Sequence, residues 1–183
     1  GYYTGFWKSG KKQGYGMYLW NEAGKYIGEW QADKMTGYGV YFAKDNKNPK
    51  RGYWKNGKLN GLAYVKLGEK WEQGRYENDK LVESYAFSKN GNLKTGCLAG
   101  DCNNGYGYFK WSNGDIFIGF FKNKNMHLGQ YTFSNGNTYY GEFNSSNQFH
   151  GMGRYFFKNG DYYGGYFKNG NYDGLGYYYH KST

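Results

Sequence analysis

Short stretches of alternating apolar and polar residues recur along the whole chain and are separated by polar turns. Residues 163–178 show the pattern most clearly: Tyr-x-Gly-x-Phe, a polar loop, and then Gly-x-Gly-x-Tyr. Alternation with a period of two is typical of half-buried strands, and two such stretches around a short polar loop predict a β-hairpin. We therefore expect one hairpin in each copy of the pattern.

The pattern returns every 22 to 24 residues, which indicates an array of one small supersecondary unit. Its first glycine falls at Gly5, Gly28, Gly52, Gly74, Gly96, Gly119, Gly141 and Gly165. We place the units near residues 3–25, 26–50, 51–71, 72–93, 94–116, 117–138, 139–162 and 163–183, as a single array over residues 1–183. The sequence thus predicts an all-β fold: an elongated, twisted, single-layer antiparallel meander of about eight β-hairpin repeats.

Glycine inside a strand is normally unfavourable, so its repetition indicates a structural role. In the first unit we expect a loop over residues 8–13, with Gly5 opposite Gly16 and Trp30 beside Gly16 on the next strand. Paired glycines would open a slot in one sheet face, and the Trp or Phe of the next unit would lie across it. The predicted structural glycines are Gly5, Gly16, Gly28, Gly39, Gly107, Gly119, Gly141, Gly153, Gly165 and Gly176. The predicted repeat aromatics are Trp7, Trp30, Trp54, Tyr76, Phe121, Phe143 and Phe167.

Two places depart from the pattern. Residues 43–50, which include the only proline, lengthen one connection, and in unit four Glu83 and Tyr85 stand where two glycines are expected. One interpretation is a bend or a specialised surface over residues 44–82. The other is simple drift in a tolerant repeat.

Composition supports a folded chain with an aromatic core. The 183 residues include 32 Gly, 24 Tyr, 13 Phe and 6 Trp. Disordered chains are poor in aromatic residues, whereas this one is 23% aromatic. The net charge of +10 favours acidic partners without distinguishing among them. Because the chain begins inside a repeat and has no initiator Met, we expect it to be cut from a longer protein, or processed.

The two half-patterns, Tyr-x-Gly-x-Trp/Phe and Gly-x-Gly-x-Tyr/Phe, resemble the MORN (membrane occupation and recognition nexus) repeat over essentially the whole chain. The resemblance implies elongated sheets of hairpins that serve as protein-binding scaffolds and dimerisation modules. It also implies association with anionic phospholipids, which is often proposed for the family. Some relatives carry an enzyme domain beside the array, and the sequence shows no such domain.

No residue pattern predicts catalysis. Nearly every polar residue sits at a repeated position, and no nucleophile, phosphate-binding or zinc-protease motif occurs. We interpret His127 and His150 as turn residues, because they precede a loop-ending glycine as other polar residues do in other units. The sequence therefore predicts a non-enzymatic protein with no catalytic residue, no metal site and no cofactor.

Cys97 and Cys102 are the only cysteines. Two thiols cannot complete a zinc site alone. A disulfide in an exported protein and two free thiols in a reducing cytoplasm remain equally open. Apart from that disulfide, the sequence favours a cytoplasmic or peripheral membrane location.

Six lysines form the most suggestive surface, because all fall in the within-unit loops of the first three units, on one edge of the predicted sheet. They are Lys8, Lys11, Lys12, Lys34, Lys55 and Lys58. A row of cations could bind anionic lipid headgroups, with each lysine contributing roughly 1 kcal/mol to the binding free energy. The simpler interpretation is that they keep the loops soluble.

Three functions remain in competition. The preferred one is a scaffold that binds an unknown protein partner and pairs end to end as a homodimer, through edge strands at Tyr3 and Tyr177. The alternatives are a peripheral module that binds anionic phospholipids through the basic loops and a glycan-binding aromatic array. Nucleic acid is disfavoured, because single-strand binding needs exposed rings and the fold needs these rings for its core.

Overall fold

The computed structural model describes residues 1–44 and 48–181 and consists of sixteen antiparallel strands joined as successive hairpins. The described ranges contain no α-helix. The predicted all-β hairpin array is confirmed. Its strands, however, form two eight-stranded sheets rather than one continuous sheet, each with its strands in sequence order.

The first sheet belongs to a compact unit of residues 1–84. Its strands are β1 (Tyr2–Lys8), β2 (Lys11–Trp20), β3 (Gly24–Gln31), β4 (Lys34–Phe42), β5 (Lys50–Lys55), β6 (Lys58–Leu67), β7 (Lys70–Glu77) and β8 (Lys80–Ser84). Of the two interpretations of residues 44–82, the structure favours simple drift in the repeat, because β5 to β8 continue the meander in sequence order. Residues 45–47 of that region lie outside the described residues.

The second sheet belongs to a compact unit of residues 85–183. Its strands are β9 (Gly96–Gly100), β10 (Tyr106–Lys110), β11 (Ile116–Lys122), β12 (Asn125–Thr132), β13 (Thr138–Phe143), β14 (Phe149–Phe156), β15 (Tyr162–Lys168) and β16 (Asn171–Tyr179). Residues 85–95 precede β9 and contain no named strand, so the interruption of the repeat lies there.

The within-unit turns are shorter than predicted. Only Ser9 and Gly10 separate β1 from β2, and Lys8 pairs with Lys11, so the expected loop over residues 8–13 is wrong. Both turn residues have positive φ, 50° and 71°, which suits the two-residue turns that match strand twist. A bulge after Gly5 accommodates the extra residues of β2.

The glycines meet as predicted in the first unit, with Gly5 opposite Gly16. The next strand is shifted from our expectation, because Gly28 stands opposite Gly16 and Trp30 opposite Gly14. The indole still reaches Gly16, since Trp30 Nε1 donates a hydrogen bond of 3.1 Å to its carbonyl oxygen. Trp54 Nε1 repeats this contact one unit later, 3.1 Å from the Gly39 carbonyl oxygen.

Where a ring crosses a glycine slot, it comes from the same unit, so our assignment of that ring to the next unit is wrong. A methyl group built on Gly39 would overlap the phenol of Tyr26, which lies two residues before Gly28. The Tyr26 hydroxyl reaches over the slot and donates at 3.2 Å to the carbonyls of Glu29 and Thr36. The equivalent rings are Tyr3, Phe117, Tyr139 and Tyr163.

These slot rings and the repeat aromatics form one edge-to-face series in each sheet, which we call the aromatic ladder. Within a unit the two centroids lie 5.0–5.2 Å apart, as in Tyr26–Trp30 and Phe117–Phe121. Every slot ring except that of the last unit also contacts the repeat aromatic of the next unit, at 5.1–5.5 Å. Such pairs contribute about 0.5–1.5 kcal/mol beyond their buried area. All the predicted repeat aromatics are buried except Trp7, which is 57% exposed.

Units three to five interrupt the ladder. Lys50 and Glu72 stand two positions before Gly52 and Gly74, where complete units have a slot ring, and unit five lacks one as well. Gly107 lies opposite Gly100, whereas the predicted first glycine of the unit, Gly96, lies opposite Lys110. The residue two positions before Gly100 is Leu98, so no slot ring is present there. The Cys102 sulfur instead lies over Gly107, 2.7 Å from the position of an added methyl group.

Candidate interaction surfaces

Five of the six predicted lysines lie together at the within-unit turns of the first sheet and are exposed. We call Lys8, Lys11, Lys34, Lys55 and Lys58 the basic edge. They end or begin strands, so their predicted place inside loops is wrong by one or two residues.

Two pairs within the basic edge bring like charges face to face. Lys8 stands directly opposite Lys11, and Lys55 directly opposite Lys58. Like charges directly opposite each other destabilise a sheet. Among residues 1–44 and 48–181, no ion pair involves any of the five lysines. The two opposed pairs therefore concentrate positive charge at this edge of the sheet.

Lys12, the sixth predicted lysine, points into the first sheet's core instead. Its side chain is only 17% exposed, and Nζ lies 3.2 Å from Asp33 Oδ1. Nζ also lies 5.2–6.0 Å from the ring centroids of Tyr3, Trp7, Tyr18 and Trp30. Other units fill the corresponding position beside the turn with apolar residues: Met35, Leu59, Leu81, Met126, Phe149 and Tyr172. Lys12 therefore does not belong to the basic edge.

The second sheet carries a line of ring contacts near its between-unit turns. We call Trp111, Tyr131, Phe133, Tyr155, Phe157 and Tyr178 the aromatic row. Successive centroids are 5.4, 4.8, 5.8, 4.9 and 5.7 Å apart. The first five rings are half-buried and Tyr178 is 40% exposed, so the row presents a continuous, partly exposed apolar surface.

Turn residues hold this row in place. Asp115 accepts hydrogen bonds from the Tyr131 hydroxyl at 2.7 Å and from the backbone N–H of Ser134 at 2.8 Å. Burial acts to raise the pKa of Asp115, but these hydrogen bonds outweigh it and hold the pKa below its usual range. One turn later, Asn137 Nδ2 donates to the Tyr155 hydroxyl at 2.9 Å. These two turns therefore each orient a ring that lies two strands later, in β12 and in β14.

Sequence reasoning missed the aromatic row, because it assigned the repeated rings to the core and named no exposed rings for the glycan-binding alternative. A signal was present in the spacing. The strand aromatics Phe109, Tyr131 and Tyr155 are each followed two positions later by another ring: Trp111, Phe133 and Phe157. Because residues two positions apart lie on the same face of a strand, the apolar face extends past the glycine slots to the between-unit turns.

The outer strands expose large apolar side chains. On β1, Tyr2 is 61% and Trp7 is 57% exposed. On β16, Tyr172, Leu175 and Tyr177 are 49–50% exposed. Of the two residues on which we based edge pairing, Tyr177 is exposed and Tyr3 is half-buried.

The two cysteine sulfurs lie 2.00 Å apart, at disulfide bonding distance. The bond links β9 to the loop that follows it. Asn90 lies beside it and donates from Nδ2 to the Gly100 carbonyl at 2.9 Å. The disulfide thus fixes the irregular start of the second sheet.

The histidines offer no shared site. His127 lies in β12 and His150 in β14, so our placement of both in turns is wrong. Burial, together with Lys122, lowers the pKa of His127. In the described part of the chain, no group of three or more His, Cys, Asp or Glu residues could hold a metal ion. Within the same residues, no helix has the length and apolarity needed to cross a membrane.

Comparison with known families supports the hairpin repeat. The MORN repeat family model matches residues 3–22, 26–47, 51–63, 104–116, 117–138 and 139–162, more than half of the chain. The unmatched residues 64–103 include β7, β8 and the disulfide. A search of curated proteins returned no match. The repeat pattern, the hairpin array and the family match agree, and the chain belongs to the MORN repeat family.

Proposed function

We propose that the chain is a non-catalytic scaffold that binds a protein partner along the aromatic row. MORN repeats occur in scaffolds for protein or membrane interaction. The observation that carries the protein-binding proposal is the unbroken line of half-exposed rings held by turn residues. Tyr, Trp and Phe are the side chains enriched at the centres of protein interfaces.

The row suits a protein partner because its rings are already ordered. Binding normally costs about 0.5–1.5 kcal/mol for each flexible side chain that becomes fixed. Two of these rings are fixed beforehand by hydrogen bonds, because the Tyr131 hydroxyl donates to Asp115 and the Asn137 amide donates to the Tyr155 hydroxyl. A partner segment that lies along the turns could therefore bury apolar area at low entropic cost.

Selection from a displayed library of random peptides tests this function. The purified chain should enrich a related family of sequences, and Phe133→Asn with Phe157→Asn should abolish their binding. Leu67→Asn with Leu93→Asn is the matched control, because both leucines are exposed and lie off the row. Equal binding by the row variant, or no enrichment at all, would contradict the proposal.

The proposal also includes end-to-end association of two copies of the chain. We infer that the outer edge of β16 pairs with an edge strand of a second copy, since exposed apolar edge strands favour such pairing. Tyr177→Lys with Tyr179→Lys should then shift a concentration-dependent dimer to monomer in analytical ultracentrifugation. A wild-type chain that stays monomeric at all concentrations would exclude this association.

Membrane binding is the second candidate, favoured by the opposed lysine pairs of the basic edge. Flotation with phosphatidylserine vesicles should recover the chain at low salt, and phosphatidylcholine vesicles should not. Changing Lys8, Lys11, Lys55 and Lys58 to Glu should abolish recovery, because each lysine contributes roughly 1 kcal/mol to the free energy of binding an anionic membrane. Reversing Lys66 and Lys70, near a between-unit turn of the same sheet, is the control. Undiminished recovery of the fourfold variant would rule out the basic edge.

A further inference from the structure

A cavity of about 550 Å³ opens beside the disulfide in the second unit. Its apolar wall consists of Phe109, Trp111, Phe121 and Met126. Its rim is polar and includes Asn103 and Lys124. A volume of this size falls in the range of ligand pockets, and the mixed lining combines apolar contact with orienting polar groups.

The cavity lies where the aromatic ladder lacks a ring. In complete units the repeat aromatic contacts the slot ring of the preceding unit at 5.1–5.5 Å. Phe121 is the repeat aromatic of its unit, and the preceding unit has Leu98 in place of a slot ring. Phe121 consequently lines the cavity on the side where a ring would otherwise pack.

The disulfide occupies only part of the vacant space. The Cys102 sulfur lies over Gly107, where complete units place the far end of a phenol or phenyl ring. Two small sulfur atoms cannot replace the full area of a ring, which covers roughly 150–250 Å². The remaining volume is bounded by the ladder ring Phe121, the row ring Trp111 and Met126.

We propose that this cavity, which we call the ring socket, receives a phenylalanine or tyrosine side chain of a protein partner. The inference rests on the proposed function and adds the chemistry of one contact. The chain itself shows the expected geometry, because every complete unit places such a ring edge-to-face with the next repeat aromatic. Asn103 and Lys124 at the rim can hydrogen-bond a tyrosine hydroxyl.

The ring socket also adjoins the aromatic row. A second cavity of about 340 Å³ shares Trp111, Met126 and Asn147 with it and is also lined by Tyr131, Phe133 and Phe149. A partner segment lying along the row could therefore place one ring in the socket without leaving the surface. This continuity favours a peptide segment over an isolated small molecule.

Methionine-methyl NMR tests the socket without a known partner. The probe is p-cresol, the side chain of tyrosine, and 4-methylcyclohexanol is the saturated control. Titration of the full chain with p-cresol should shift the Met126 methyl signal. Met35 holds the matching place beside Trp30 in the first sheet and should stay unchanged. We expect p-cresol to bind about two- to tenfold more tightly than the saturated control, as an edge-to-face contact implies.

Asn103→Trp should fill the socket from its exposed rim and remove the Met126 response. Lys168→Trp, beside an exposed turn of the last unit, is the matched control and should leave the response intact. Three results would overturn the inference: no Met126 shift, equal shifts at Met126 and Met35, or equal affinity for the two probes.

The peptide selection separates failure of the socket from failure of the proposed function. Enriched peptides that share an aromatic residue and lose binding to Asn103→Trp would support both. Enriched peptides that bind Asn103→Trp as well as the wild type would overturn the socket and leave the protein-binding function standing. A Met126 response without any enriched peptide would support ring recognition and count against the protein-binding function.

Discussion

Gly39 has no room for a side chain, because the Tyr26 phenol lies directly over it. Gly39→Ala should lower the free energy of unfolding by about 1–3 kcal/mol, the usual cost of an overfilled core. Gly10→Asn is the control, since Gly10 has φ of 71° and no heavy atom near an added Cβ, and Asn tolerates that backbone. Urea denaturation measures both. A Gly39→Ala variant as stable as the wild type would mean that the phenol is not fixed over the slot.

Lys12 offers a second test at the residue scale. Lys12→Glu should cost about 1–3 kcal/mol of stability, because a carboxylate would replace an ammonium among four rings and beside Asp33. Lys11→Glu should change stability by less than about 0.5 kcal/mol, since Lys11 is exposed. Thermal unfolding of the two variants separates them. Equal effects would show that Lys12 is an ordinary surface lysine.

At the scale of strands and turns, we expect the hydrogen bond between Tyr131 and Asp115, which joins neighbouring units, to be sensitive to acid. The folded-state pKa of Asp115 lies below the unfolded value of about 3.9. The stabilisation is therefore present above that value and is lost as pH falls through the folded pKa. Asp115→Asn should lose about 1 kcal/mol at neutral pH. It should also lose less stability than the wild type on acidification below about pH 4.

Urea denaturation across this pH range measures the effect, with Glu69→Gln at an exposed turn as the control. The following turn already uses an amide at the equivalent place, Asn137, so the substitution has a precedent within the chain. Parallel pH profiles for the wild type and Asp115→Asn would show that the Asp115–Tyr131 contact does not couple to folding.

The element pattern was predictable from sequence because side-chain alternation and glycine spacing fix strand register. The glycine pair Gly5–Gly16 illustrates this. Which ring crosses the slot was not predictable, since Tyr26 and Trp30 lie on the same face with the same spacing. Only the backbone bulge after Gly28 and the indole hydrogen bond to Gly16 decide between them. The opposed lysine pairs likewise depend on a two-residue turn that the sequence pattern does not specify.

At the scale of the whole molecule, all named strand pairs lie within residues 1–84 or within residues 85–183. We expect each part to fold when produced alone, since each contains a complete eight-stranded sheet with its own aromatic core. The amide NMR spectra of the two fragments should largely superimpose on that of the full chain. Collapsed, poorly dispersed spectra from either fragment would contradict this.

Hydrogen–deuterium exchange in the presence of the selected peptides tests the central claim most directly, because it locates the binding surface on the intact chain. We predict protection of the between-unit turns of the second sheet, around residues 111–115, 133–137 and 157–161, and no change at the basic edge. Protection at the basic edge alone, or none at the aromatic row, would contradict the proposal that the row is the protein-binding surface.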